Sequence, residues 1–304
     1  MRHGKYPFVI GFLIPPVVLY LVFVIGPYLQ AFYISMTDWR GLSPEVRLIG
    51  LDNFARVFQD EMFWKALRNH GQLLLTVPLL TIAIALLFAF LLNVAGGSAG
   101  NAIRGLRGST MYKIVFFFPQ VLSIAVLGVL FQLVYRPDEG GLLNGLLGKA
   151  GIAPVGFLTD PDLALWSIIA VMVWSHVGFY LVLFSAGMAA IPKELYEAAA
   201  IDGAGRARTF FSVTLPLLRN HVQTGWIYLG IGVLDYFVLI KVLSVDEGGP
   251  DGATTVLGMQ VWKSAFTNYN FGYASALGVV LFFIVMTFAM VTMRFTSNRE
   301  ETEF

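Results

Sequence analysis

The residues equipped for chemistry fall into two sets. The first is a charged stretch lying between two long apolar runs, Glu194–Leu218, ELYEAAAIDGAGRARTFFSVTLPLL. The second is a scatter of polar side chains inside the apolar runs themselves: Gln120, Ser123 and Gln132, then Trp174, Ser175, His176 and Tyr180, then Thr224, Tyr228, Asp235, Tyr236 and Lys241. A polar group in hydrocarbon is costly, so each needs a protein partner, a wet cavity or a polar solute. Asp235 is the sharpest case. Its carboxylate can accept hydrogen bonds from a hydroxylated solute, or it can pair with His176, Lys241 or a neighbouring subunit. His176 reads more simply as a histidine satisfied inside a helical bundle. Bond-making chemistry has little to work with. There is no cysteine, Asp235 has no second carboxylate to form a dyad, and His3, His70, His176 and His221 are not at metal-ligand spacing. No GxxxxGK sequence occurs, so a phosphate loop is not encoded.

These residues must be positioned by helices in a membrane. Hydrophobic residues make up 57% of the 304, charged residues only 13%, and the mean hydropathy is +0.72; a soluble domain is about 25% charged. The formal net charge of +1 and the lack of a basic run give no reason to expect nucleic acid. Crossing the hydrocarbon takes about 20 apolar residues. Six stretches qualify: residues 8–34, 73–94, 114–135, 163–188, 222–243 and 273–295. Each is expected to be helical, because the backbone must satisfy its own hydrogen bonds in lipid. Pro78, Pro119, Gly128, Gly178, Gly230 and Gly232 would then mark kinks and close helix contacts. The first stretch carries Pro15, Pro16 and Pro27 without a small-residue cleavage site, and reads as a retained span.

Between the runs, Met36–Asn69 is expected to form short surface helices with Phe54, Phe58 and Trp64 against apolar surface. Residues 95–112 form a connector, with Arg104, Arg107 and Lys113 placed for anionic headgroups. One short helix is expected near Leu142–Lys149. In the charged stretch, Pro192 suits the first turn of a helix, with Glu194 and Glu197 near its positive end. Gly203 and Gly205 end that helix, and Asp202 is placed to cap a second one, roughly Arg206–Val213. Pro216 ends the second helix or opens the next run. On pattern alone, such a helix–turn–helix is a docking device or an interfacial segment.

Glu197-Ala198-Ala199, Gly203 four residues after Ala199, and Val213-Thr214-Leu215-Pro216 resemble the EAA loop of ABC importer permeases. That pattern reads EAA, three residues, Gly, nine residues, Ile-x-Leu-Pro, and Val213 is its one departure. The resemblance implies an all-α integral membrane protein with six transmembrane helices and the type I ABC importer (MetI-like) permease fold. It implies one permease domain over residues 1–304, with a cytoplasmic coupling loop at about 189–221 in which Glu197, Ala198, Ala199, Asp202, Gly203, Leu215 and Pro216 dock on an ATPase. The partners it implies are a second homologous permease, two cytoplasmic ATPase subunits, an extracytoplasmic sugar-binding protein and the lipid bilayer. ATP and Mg would sit on the ATPase subunits, with no cofactor and no ATPase site in this chain. It also implies a multi-pass protein of the bacterial cytoplasmic membrane with both termini inside, an orientation that the lysine and arginine distribution favours only slightly.

Ile49–Phe54 with Asp60 and Phe63-Trp64 resembles the sugar-importer branch, as does Glu247-Gly248-Gly249-Pro250 followed by Ala253-Thr254-Thr255. In that branch the positions of Tyr180 and of Asp235-Tyr236, ahead of Phe237-Val238-Leu239-Ile240, line a sugar site. The implied substrate pathway is therefore Gln120, Trp174, Tyr180, Asp235 and Tyr236, with Trp174 able to stack on a pyranose or simply to pack. The opening HGKYPFVIGFL and Thr37–Ser43 are similar to actinobacterial permeases for N-acetylglucosamine or chitobiose. The alternative from another class is an ion-coupled secondary transporter. It would call for internal repeats with paired midplane acids or histidines, and would leave the EAA loop unexplained.

Overall fold

The computed structural model describes residues 5–41, 45–93 and 108–297, with side chains from residue 9 to residue 294. Arg104, Arg107 and part of the Thr37–Ser43 stretch lie outside these residues. Four helices among the described residues are long and apolar enough to cross a membrane: Val9–Ser35, Glu61–Asn93, Pro161–Ala189 and Phe271–Arg294. Two bent pairs, Ser109–Val121 with Ile124–Val134 and Arg219–Asp235 with Phe237–Leu243, raise the number to six if each pair is one span. We refer to the six in chain order as the first to sixth segments.

Three boundaries differ from expectation. The second segment starts at Glu61, well before residue 73, so the surface stretch 36–69 ends inside a long helix. Asp60 has extended backbone, and its side chain accepts from the Met62 N–H at 2.9 Å, which caps the start. Charged residues such as Lys65 and Arg68 are good helix formers, so the helix outruns its apolar part. The third segment is two helices bent by 99°. A 3₁₀ turn at Phe118–Val121 holds Pro119, Leu122 is extended, and Ser123 opens the next helix by accepting from Val126 N–H at 3.4 Å. The fifth segment bends by 54° at Tyr236.

The chain forms two compact units. One contains Leu67–Val256 and the residues from Val285 onward, and is built on the fourth segment, Pro161–Ala189. Gly178 allows the third segment to lie backbone against backbone, since a Cβ there would overlap the Phe116 carbonyl. Gln132 donates to the Val242 carbonyl at 2.5 Å, tying the second half of the third segment to that of the fifth. Lys113 donates to Asn93, which in turn donates to Ser185, linking three helix ends. The Gly249–Thr255 stretch is a pinned turn: the Asn69 carboxamide donates to the carbonyls of Gly252, Ala253 and Thr255. Ser244 and Thr254 share a further hydrogen bond of 2.6 Å. The short helix Leu142–Lys149 is present as expected.

The other unit contains residues up to Ala66 together with Leu257–Ile284. The rings of Tyr28, Phe32, Phe282 and Phe283 pack against one another. Asn53 is buried and donates to the carbonyls of Ser35 and Thr37, fixing the surface helix Asp52–Gln59. That helix buries Asn53 and Val57; Phe58 and Trp64 remain half exposed, each with its ring edge-on to the buried Phe63, so their apolar packing is as expected but leaves one side of each open.

Candidate functional site

The charged stretch folds as two short helices joined by a glycine turn. Lys193–Ile201 is the first, with Glu194 in its opening turn. Pro192 stands one residue outside, in the cap position with ψ 132°, because the residue joining a chain to a helix is extended. Asp202 follows as the C-cap, and Gly203 takes φ +73°. Ala204 N–H then reaches back to the Ala199 carbonyl at 2.9 Å, closing the helix in the left-handed manner that favours glycine. Asp202 therefore ends the first helix and does not cap the second. Gly205 precedes Arg206 with no side-chain cap.

The second element runs beyond Val213. Arg206–Thr209 is α-helical, Phe210–Thr214 is π-helical and Leu215–Leu217 is α-helical again. Pro216 sits in the first turn of that last piece, where its missing N–H costs nothing. One face is anchored. Tyr196, Thr209, Thr214 and Leu218 are buried, and Phe210 packs edge-on to Phe90 with centroids 5.0 Å apart. Thr214 Oγ1 donates to the Tyr196 hydroxyl at 3.3 Å, and burial pushes the Tyr196 phenol above its ordinary range. Glu197, Ala198, Asp202, Gly203 and Pro216 are exposed, while Ala199 and Leu215 are half-buried. Beside them stand Ile201, 87% exposed, and Phe211, 66% exposed. An anchored back with charged and apolar side chains in front is the arrangement of a docking surface.

The intramembrane polar residues divide. His176 is buried and fully engaged. Its Nδ1 faces the Met172 carbonyl at 2.6 Å and Ser175 Oγ at 2.9 Å, and its Nε2 bonds the Tyr236 hydroxyl at the bend of the fifth segment. Tyr180 is buried one turn further along the fourth segment, its ring against Gly225 and Phe184. Asp235 is exposed and makes no hydrogen bond or ion pair among the described residues; His176 has taken Tyr236 instead. Trp174 stands apart, edge-on to Phe131 and on the wall of an apolar cavity of about 720 Å³ with Phe116, Pro119 and Val177. Gln120 is exposed on the 3₁₀ turn of the third segment. The structure thus joins Tyr236 to His176 and leaves Gln120, Trp174 and Asp235 unjoined to them. Asn69 and the Lys113–Asn93–Ser185 relay were missed, although polar residues at the ends of apolar runs are a usable signal.

Comparison with known proteins gives the context for this geometry. The family model described as binding-protein-dependent transport system inner membrane component matches residues 54–299. The diacetylchitobiose uptake system permease protein NgcF of Streptomyces coelicolor is 43% identical over 302 residues, covering 98% of this chain and 84% of that protein. The trehalose/maltose transport system permease protein MalF of Thermococcus litoralis is 33% identical, covering 93% and 91%. The sn-glycerol-3-phosphate transport system permease protein UgpA of Brucella abortus is 32% identical, covering 94% of each. In fold, the chain resembles a chain of a bacterial ABC transporter involved in the import of the acidic polysaccharide alginate. That match has a TM-score of 0.81 and 20% identity, covering 97% of this chain and 96% of the other. None of these matches supports the ion-coupled alternative. Six apolar helical segments, a glycine-broken surface loop and a family match over most of the length agree: the chain belongs to the binding-protein-dependent transport system inner membrane components, a family of multi-pass permeases.

Proposed function

We propose that this chain is a permease subunit of an ATP-driven importer for a sugar or short oligosaccharide, with an N-acetylated disaccharide of the chitobiose type as the first cargo to test. The observation that carries the reading is the loop at 189–221, anchored by Tyr196, Thr214 and Phe210 and presenting Glu197, Ile201, Gly203 and Phe211 outward. A second homologous permease completes the pathway, and two cytoplasmic ATPase subunits bind ATP and Mg and receive the loop. An extracytoplasmic binding protein delivers the sugar. Both termini are cytoplasmic, which places the loop on the ATPase side, and the whole chain acts as one permease domain.

In the mechanism, closure of the ATPase pair pulls the docked Glu197–Pro216 surface. The anchored face transmits that displacement to the fourth and fifth segments, which flank the loop in sequence. The His176–Tyr236 bond lies across those two segments, so their relative movement strains or breaks it. Asp235, next to the bend, offers free acceptor oxygens to sugar hydroxyls, and Tyr180, Trp174 and Gln120 complete the proposed pathway.

The test is ATP hydrolysis by the assembled complex in liposomes with loaded binding protein, offered diacetylchitobiose, N-acetylglucosamine, maltose, trehalose and glycerol 3-phosphate. Stimulation by a sugar, lost in Gly203→Asp, is the expected result. A Cβ at Gly203 meets nothing within 4 Å, so the variant strains only a left-handed position and leaves the fold intact. Hydrolysis that no sugar stimulates and that the variant leaves unchanged overturns the reading.

A further inference from the structure

The unit holding the surface helix contains a second polar site, built from residues other than those of the proposed pathway. A cavity of about 440 Å³ is lined by residues of the helix Asp52–Gln59 and of the Leu257–Trp262 stretch, with the start of the sixth segment. Its volume is that of a small-molecule pocket. Gln59, Gln260 and Asn268 face it, and none makes a side-chain hydrogen bond among the described residues. Gln260 is the telling member. It is only 9% exposed, yet its carboxamide lines the cavity without a protein partner. Its polar atoms are not sealed, since among the described residues the buried unpaired side-chain atoms are Thr81 Oγ1 and His221 Nδ1; the carboxamide of a largely buried residue therefore opens onto the cavity, held ready for a polar solute.

The charges around the cavity are largely occupied. Asp60 accepts from the Tyr273 hydroxyl at 2.6 Å with one oxygen and from Met62 N–H at 2.9 Å with the other. Arg56 lies over the Tyr273 ring, 5.0 Å from its centroid, and donates weakly to Asn53 at 3.4 Å. Lys263, itself engaged in an interaction, and Ser264 also line the cavity, and the rest of the polar lining is a set of carboxamides, each both donor and acceptor. That set suits hydroxyl and acetamido groups, which also donate and accept, better than it suits an ion.

We infer that this cavity is a saccharide-binding subsite, taking one neutral or N-acetylated pyranose at the outer ends of the second and sixth segments. The inference rests on the carbohydrate reading above and on the orientation proposed there. It gives this unit a holding position for sugar made of its own residues.

The test uses the complete importer in nanodiscs without its binding protein, titrated with diacetylchitobiose and, in a parallel arm, with glucuronate. Saturable binding of the neutral sugar, weakened at least tenfold by Gln260→Met and by Asn268→Ala but not by Phe23→Ala, is expected. Asn268 is exposed, so its variant keeps the test valid should Gln260→Met fail to fold. Binding that all three variants leave alone, preference for glucuronate, or no saturable binding overturns the inference; the last result leaves a water-filled cavity. Weakened docking of the binding protein in Gln260→Met without sugar binding assigns the cavity to a protein loop and equally overturns it. Binding-protein-driven uptake is measured on the same complexes reconstituted in liposomes with the binding protein added. Uptake without cavity binding defeats only this inference, whereas stimulation by no sugar defeats the functional reading.

Discussion

The first and fourth segments are both long, apolar and free of Asp, Glu, Lys and Arg over their central turns, yet they occupy opposite environments. None of the most apolar window of Val9–Ser35 is buried in the isolated chain, whereas 72% of that of Pro161–Ala189 is. Hydropathy does not separate the two, because lipid and protein interior are equally apolar to a leucine. Composition does. The fourth segment places Ser167, Ser175, His176, Gly178, Tyr180, Ser185 and Gly187 in contact with other helices, residues that either hydrogen-bond or allow close approach. The first segment offers lipid or a neighbouring subunit a face of Val, Leu, Ile and Phe. A buried membrane helix is thus marked by many small and polar residues in its contacts, and a peripheral one by fewer, here Gly11, Gly26, Gln30, Ala31 and Ser35 over the whole first segment.

Substitutions can break or sharpen this contrast. The largest effect is expected from Gly178→Val, whose side chain would occupy the space of the Phe116 backbone. A loss of about 3 kcal/mol or more follows, since backbone cannot yield as a rotamer can; it is checked by thermal unfolding in detergent. Phe184→Ala, at a fully buried site, should cost about 2 kcal/mol. That is less than in a water-soluble core, because only the cavity part of the penalty survives when the outside is also apolar. Tyr236→Phe removes the hydroxyl bonded to His176 and should cost about 1 kcal/mol, visible as a lower melting temperature in the same assay. Phe23→Ala, at a side chain 71% exposed on the first segment, should change stability by less than about 0.5 kcal/mol. A large loss at Phe23 would show that the first segment is packed against protein in the sample measured, and would remove the contrast.

The six segments were legible because the bilayer imposes a length and an apolar composition that few other structures satisfy. Their bends were only half legible. Pro119 and Ser123 stand in the third run as a breaker and a cap, but whether they kink a span or divide it depends on neighbours that no periodicity records. Glu61 was missed as a helix start because apolar content was the criterion, and a helix needs none at its wet end. In the loop, Gly203 announced its own turn, while Asp202 misled. Asp is a good cap at either side of a break, and the fold used it at the end of the first helix. Tyr236 was singled out together with Asp235, but their division of labour, one bonded to His176 and the other left exposed, follows from the bend between Asp235 and Phe237. The unpaired carboxamide of Gln260 had no signature in the sequence, because being unpaired is a property of the packed structure.

The π-helical turn at Phe210–Thr214 amounts to one residue more than an α-helix would hold over the same rise. Each residue advances a helix by about 100°, so the inserted one rotates everything after it relative to everything before it. Arg206 and Arg208 can therefore face outward while, a few residues on, Leu215 and Leu218 turn toward the bundle. The loop behaves as a keyed shaft whose two ends were cut at different angles. Deleting a single residue between Phe210 and Thr214 would realign them, leaving every residue of the proposed docking surface present but that surface wrongly clocked against the helices it is proposed to drive.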